Sequence, residues 1–291
     1  IGFQNRPDIF AVDVIKPEPL FEKSIEISQR VHFDGVVEEE IDPEEVRRKL
    51  QQARDEGIES LAICLMHGYR YTDQERVIAG VASEMGFREI SLSHQVAPEI
   101  RIIPRAFTTV LDAYLNPVLR KYLQEIRDHL SPGTRLELFS SSGSLVAAER
   151  FTGKDSLLSG PAGGVVGFSR TAVAAGIEKT IGFDMGGTST DVARFDGEYH
   201  YQYESEKSGV LVVAPTLSIE TVAAGGGSIC RFEDDRLTVG PQSAGADPGP
   251  ACYGRGGPLC LSDINLFCNR INEGTFPFPL DREKVREKLS A

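Results

Sequence analysis

The sequence predicts an α/β protein of two lobes. Three observations lead there: capped helical stretches alternate with short apolar runs before Pro104, strand-like runs dominate after Thr180, and a glycine turn flanked by carboxylates stands among those strands. The expected division is residues 1–103 as the remainder of an N-terminal α/β lobe, 104–176 as a helical connecting region and 177–291 as a second lobe. The first lobe is incomplete if nothing precedes Ile1.

In chain order, residues 1 to 41 read as extended segments, with a hairpin of 25–33 and 36–41 around Asp34-Gly35. Asp42-Pro43-Glu44-Glu45 opens a helix, with aspartate as N-cap and proline at the first helical position. Val46, Leu50 and Ala53 form its buried stripe and Gly57 ends it. Ser60 to Leu65 suits a buried strand. Thr72-Asp73-Gln74-Glu75 repeats the capping-box pattern, Val77, Val81 and Met85 share a face, and Ile90 to Ser93 is another strand. Helix, strand, helix, strand calls for a parallel sheet with right-handed crossovers.

Arg105 to Leu130 reads as a helix that Pro117 kinks or splits. Leu136 to Ser140 is a strand, and the serines from Ser140 to Ser144 read as a flexible connection in preference to a ligand loop. A small-residue helix starts at Ser159-Gly160-Pro161-Ala162 and ends at Gly176. Gly163 and Gly164 near its start cost about 1 kcal/mol each against alanine, which a close approach of another helix or a ligand would explain. Asp281 onward reads as a charged helix cut off in progress. With Ile1 rather than methionine first, the expectation is a piece of a longer chain.

The central stretch is Thr180 to Phe195, in which Asp184 precedes Gly186-Gly187, the hydroxyls Thr188, Ser189 and Thr190, and a second carboxylate, Asp191. It predicts an antiparallel meander of three strands to Glu204, with Gly186-Gly187 at the first turn and Asp196-Gly197 at the second. Glycines let backbone N–H groups approach phosphate oxygens, hydroxyls add donors, and an aspartate can hold a hydrated divalent cation. A plain tight turn capped by Asp184 fits the same residues. Neither a P-loop nor a dinucleotide fingerprint is present.

At 291 residues, 41% hydrophobic and 25% charged, the composition is that of an ordinary globular protein with room for two cores. A net charge of -12 argues against a general nucleic-acid or anionic-membrane surface. Five cysteines, odd in number and without C-x-x-C spacing, point with the absence of a signal peptide to reduced thiols and a cytoplasmic location. No apolar run approaches the roughly 20 residues needed to span a bilayer. Cys252 reads as an inert buried thiol, His67 and His94 as satisfied core histidines, and Arg101 and Arg105 as surface cations or, more sharply, anion contacts.

A small-residue helix leading into a strand and then D-x-G-G-T-x-x-D resembles the second phosphate motif of the actin, sugar-kinase and heat-shock ATPase superfamily, which has a ribonuclease H-like fold. More narrowly, four stretches resemble the hydantoinase/oxoprolinase family: Ser159 to Gly167 (S-G-P-A-G-G-V-V-G), Gly182 to Val192, Thr221 to Ser228 (T-V-A-A-G-G-G-S) and Val239 to Pro258. Gln4 to Phe10 and Leu65-Met66-His67 resemble its 5-oxoprolinase branch. The family's earlier G-G-T turn and glycine-rich adenine-side segment have no counterpart in this sequence; Gly225-Gly226-Gly227 lies too soon after the phosphate turn to be the latter.

The resemblance implies ATP-driven cleavage of 5-oxo-L-proline to L-glutamate, with ATP and Mg2+ as cofactors and the remainder of a parent chain or a partner subunit completing the site. A homo-oligomer is expected, and this piece alone is expected to be inactive. By the same resemblance Asp184 binds the metal through water, while Gly186, Gly187, Thr188 and Ser189 contact phosphate. Asp191 is either a second metal-shell group or, the preferred reading, an anchor for the hairpin. Asp247, Arg255 and Asp263 are candidates to face substrate or nucleotide, although a rigid Gly/Pro loop from Gly245 to Pro258 explains that segment without a ligand. A hydantoinase or ketone-carboxylase ATP-binding subunit, or a noncatalytic module of the same fold, are the alternatives.

Overall fold

A computed structural model describes residues 18–207 and 209–290. The resemblance at Gln4 to Phe10 therefore lies outside the described residues. The chain divides into two compact units, one taking in the described residues up to Gly163 together with Tyr201–Leu217, the other Gly164–His200 with Ser218 onward. Both helices and strands build it, as the α/β class requires.

The first unit opens on a short antiparallel hairpin, β1 (Arg30–Val31) with β2 (Val37–Glu39). Helix α1 (Pro43–Asp55) starts as expected, with the Asp42 carboxylate accepting from the Glu44 amide at 2.9 Å, and it buries Val46, Leu50 and Ala53. Strand β3 (Ser60–Ile63), helix α2 (Asp73–Glu84) and strand β4 (Glu89–Leu92) follow, and β3 pairs with β4 in parallel, Ser60 opposite Glu89. Ile63, Ile78, Val81, Met85, Phe87 and Leu92 close the core with α1. Of the expected α2 stripe Val81 and Met85 are buried as expected, while Val77 is exposed and Ile78 takes its place in the core.

The capping box expected at Thr72 does not form: Thr72 has helical backbone and no capping bond. Glu75 is instead fully buried, because it has stronger partners elsewhere. Its carboxylate accepts from Ser93 Oγ at 2.5 Å and the Leu65 amide at 3.0 Å, and it pairs with His94 Nδ1 at 2.7 Å. His94 is thus a core histidine satisfied at one nitrogen, while its Nε2 is buried without a partner among the described residues.

After the short helix α3 (Ser93–Val96), helix α4 runs unbroken from Ile102 to Asp128 across Pro117. An interior proline costs about 3 kcal/mol, but the turns around it are held from outside. Asn116 donates to Glu89 at 3.0 Å and accepts from the Gly153 amide at 2.7 Å, and Arg120 grips Glu89 through two bonds. The reading of Arg105 as a surface cation is overturned. It is fully buried, and its guanidinium donates to the carbonyls of Leu65, Met66 and Glu99, with a longer contact to that of Ile100. Arg101 is exposed and pairs with Glu204.

Strands β5 (Glu137–Phe139) and β6 (Leu145–Ala147) form a hairpin whose turn is the serine run. That run is ordered rather than flexible: the Ser140 amide donates to Ser144 O at 2.8 Å, and the hydroxyls of Ser140, Ser142 and Ser144 contact one another at 2.8–2.9 Å. A short helix α5 (Gly153–Ser156) precedes the small-residue helix α6 (Ser159–Ala174).

Strands β7 (Thr180–Met185) and β8 (Thr190–Phe195) pair antiparallel, with Gly186-Gly187 in the turn between them. The expected third strand goes elsewhere. After Gly197 the Asp196 carboxylate binds His200 at 2.7 Å, and the next strand, β9 (Tyr201–Lys207), pairs with β10 (Val210–Leu217) in the first unit. The place beside β8 is taken by β11 (Glu220–Val222). Helix α6 covers one face of this sheet. Phe168 packs so closely on Gly182 that a Cβ there would fall 2.2 Å from the ring. The other face carries Ile181, Phe183, Met185 and Val222, all exposed.

The second unit continues with the hairpin of β12 (Ser228–Glu233) and β13 (Arg236–Ser243), a 3-10 turn at Ala251–Tyr253, helix α7 (Leu261–Phe267) and helix α8 (Arg282–Ser290). The charged C-terminal helix is as expected, capped by Asp281, which accepts from the amides of Glu283 and Lys284. No helix of the described residues is long and apolar enough to cross a membrane.

Candidate functional site

Strand pairing builds the site. Asp184 on β7 lies directly opposite Asp191 on β8, and Asp191 in turn opposite Thr221 on β11, so the three share the sheet face that α6 covers. Two carboxylates directly opposite on antiparallel strands repel each other. Asp191 is held by the Thr221 hydroxyl, which donates to Oδ1 at 2.7 Å. Asp184 is exposed, and its carboxylate makes no hydrogen bond or ion pair among the described residues. Helix α6 comes near it at Gly164, where a Cβ would stand 3.9 Å from Asp184 Oδ2.

The turn itself is closed by the Gly186 amide, which donates to Ser189 O at 2.9 Å. Its two glycine carbonyls face a second glycine loop. Gly226 N–H donates to Gly186 O at 2.9 Å and Gly227 N–H to Gly187 O at 2.7 Å. In a trans peptide the carbonyl of one residue and the N–H of the next point opposite ways. The amides of Gly187 and Thr188 therefore point away from the second loop, and both residues are exposed, with neither amide bonded among the described residues. Two adjacent free amides on an exposed turn present positive partial charge suited to an anion. The Thr188 hydroxyl lies 3.5 Å from Ser243 Oγ, and Ser189 is half-buried.

Models of two family regions match the sequence, "Hydantoinase/oxoprolinase" over residues 105–291 and "Hydantoinase/oxoprolinase N-terminal region" over residues 1–86. The chain belongs to the hydantoinase/oxoprolinase family. Relatives in this family include 5-oxoprolinase 1 of Arabidopsis thaliana, 42% identical over 99% of this chain and 25% of that protein, and 5-oxoprolinase of Saccharomyces cerevisiae, 41% identical over 95% of this chain and 24% of that protein. This chain thus spans about a quarter of their length. Among solved structures, the ATP-dependent caprolactamase of Pseudomonas jessenii superposes with a TM-score of 0.75 at 30% identity, covering 91% of this chain and 40% of that one. Nucleotide-free acetone carboxylase superposes with a TM-score of 0.69 at 22% identity over 91% and 39%, a likeness of fold.

Of the remaining expected residues, one has partners of its own and two are exposed on a loop. Asp263 is fully buried at the start of α7, where its two carboxylate oxygens accept from the amides of Ala251, Cys252 and Cys260 at 2.7–3.0 Å. That is the place of a loop anchor, not of a group open to a ligand. Arg255 is exposed, donates to Ala246 O at 3.4 Å and lies over the Phe278 ring. Asp247 is exposed on the same loop. Cys252 is buried, as expected of an inert thiol, and desolvation and the neighbouring Asp263 carboxylate push it far above the usual thiol range. Burial likewise pushes Cys260 up to about 12.

Sequence reasoning missed the second glycine loop as part of the site. The signal was present, since a run of three glycines in an otherwise strand-like region marks a place where another backbone comes close.

Proposed function

We propose that this chain carries a phosphate clasp of an ATP-dependent hydrolase of cyclic amides, which in its complete form cleaves 5-oxo-L-proline to L-glutamate. The observation that carries this reading is the turn at Gly186 to Ser189, whose free Gly187 and Thr188 amides open beside an unpaired aspartate. Kinship of about 40% identity with proteins named 5-oxoprolinase supports the substrate.

A lactam carbonyl is a poor electrophile. Transfer of the γ-phosphoryl group to its oxygen makes the ring carbon electrophilic: water adds there, the ring C–N bond breaks as the nitrogen leaves as an amine, and a second water hydrolyses the acyl phosphate to carboxylate and phosphate. The protein's task is therefore to position phosphate and offset charge. In this reading the Gly187 and Thr188 amides face the phosphate oxygens, with Ser189 as a further donor, while Gly186, expected to donate as well, uses its amide on Ser189 O to close the turn. Asp191 aligns the hairpin through Thr221, and Asp247 and Arg255 are the loop residues open to substrate or nucleotide.

The residues present fit a Mg2+ ion shared with phosphate. Among the described residues no cluster of three or more His, Cys, Asp or Glu forms a metal cage, and Mg2+ binds through one or two carboxylates, substrate phosphates and water. Asp184 would hold it, through water, and its chemistry would be to neutralise charge on the phosphates. Reduced thiols are consistent with a cytoplasmic setting, and other parts of the polypeptide, partner subunits or further copies of the chain would complete the site.

A second reading, another lactam as substrate, is favoured by the 30% identity to the caprolactamase structure. Phosphate release by the complete natural polypeptide, measured with 5-oxoproline, hydantoin, caprolactam and acetone in turn, separates them. The expected result is stimulation by 5-oxoproline, and none by any of the four in these 291 residues alone, which hold one phosphate turn among the described residues. Stimulation by another compound only would reassign the substrate.

A further inference from the structure

We propose that the Gly225 to Gly227 loop is the positioning element of the phosphate turn, aiming the Gly187 and Thr188 amides at the phosphates, and that Gly225 is where this requires the absence of a side chain. The inference rests on reading the turn as a phosphate clasp and adds what sets its geometry.

The loop is pinned on several sides. Gly225 donates to Ser228 Oγ at 2.8 Å, the Thr190 hydroxyl donates to Ala224 O at 2.5 Å, Ser262 N–H donates to Gly226 O at 2.8 Å, and Ala244 N–H donates to Gly227 O at 2.8 Å. So fixed, it presents the Gly226 and Gly227 amides to the carbonyls of Gly186 and Gly187, and those two bonds set the tilt of the peptide planes whose opposite ends are the free amides. An unsupported turn of two glycines has many orientations available; this one has a single set.

Close approach accounts for Gly225. Its φ lies outside the left-handed region, so conformation alone would admit alanine. Space would not: a Cβ would fall 2.6 Å from both the Gly187 carbonyl carbon and the Thr188 nitrogen, the peptide that carries one of the free amides. At Gly226 the nearest obstacle is the Ser262 hydroxyl, which can swing aside, whereas at Gly225 it is backbone. Alanine at Gly225 must therefore push the phosphate turn out of register. Thr190→Val reaches the same loop through a different residue, putting a methyl that cannot donate where the hydroxyl bonds Ala224 O.

The test uses the complete natural polypeptide and measures dissociation constants for Mg·ATP and for adenosine, together with the unfolding midpoint, in wild type, Gly225→Ala, Thr190→Val and Gly80→Ala. Gly80 lies on α2 with open space around its Cβ position and serves as the matched control. The expected result is that Gly225→Ala loses about tenfold or more in ATP affinity, the cost of a misaimed charge-assisted hydrogen bond. Adenosine affinity stays level, Thr190→Val shifts in the same direction, and Gly80→Ala matches wild type. Should Gly225→Ala fail to fold, Thr190→Val decides. An unchanged ratio of ATP to adenosine affinity in the folded variants, or an equal loss of both ligands, overturns the positioning role while the clasp reading stands. Equal affinity of wild type for ATP and adenosine removes the clasp itself, and the inference with it.

Discussion

Replacing Asp184 by asparagine in the complete natural polypeptide is expected to lower Mg·ATP-dependent turnover by about 10²–10³-fold while leaving the fold intact. Asp184 has no bond among the described residues that the substitution would break, and it stands opposite Asp191, so removing its charge relieves a like-charge pair. The thermal midpoint should accordingly hold or rise. An amide side chain keeps the size and shape but is a far weaker partner for a hydrated divalent cation. Steady-state phosphate release and a melting curve on the same sample give both answers. Unchanged turnover would remove Asp184 from the site, and lost turnover with a lowered midpoint would assign it to structure.

Arg105→Met is expected to destabilise the first unit by about 3–5 kcal/mol, a large part of the 5–15 kcal/mol that holds a typical domain. Methionine fills similar length but offers no donors, and the carbonyls of Leu65, Met66 and Glu99 would lose their buried partner. Glu75 on the other side compounds the effect, since it accepts the Leu65 amide, so that arginine and glutamate grip the two ends of one residue. Urea unfolding followed by far-UV circular dichroism measures the change. A loss below about 1 kcal/mol would show that water replaces the guanidinium at those carbonyls.

What the sequence discloses and what it hides follow the range of the interactions involved. Asp42-Pro43 with its buried stripe, the parallel pair around α2, and the Gly186-Gly187 turn are local patterns, and each stands where expected. Thr72 to Glu75 has the same local pattern as a capping box, but Glu75 is claimed by the Leu65 amide and by Ser93 and His94, 18 and 19 positions further along the chain. Arg105 looks like a surface cation for the same reason: four carbonyls, two of them about 40 positions away, make it a core residue. Pro117 does not split its helix, whose turns Asn116 and Arg120 hold to Glu89 on β4. In the site, the free amides were legible from two glycines between strands. The loop that orients them was not, because its contact with the turn is backbone to backbone and leaves only glycine as its trace.

Titrating the isotope-labelled chain with Mg·ATP, while following its amide resonances, tests most directly whether Gly186 to Ser189 is a phosphate clasp. Binding by one clasp alone should be weak, on the order of millimolar. The account predicts that the amide signals of Gly187 and Thr188 move first and farthest, that Gly226 and Gly227 follow, and that adenosine leaves all four in place. Gly187 and Thr188 signals that stay still while ATP shifts residues elsewhere would contradict it.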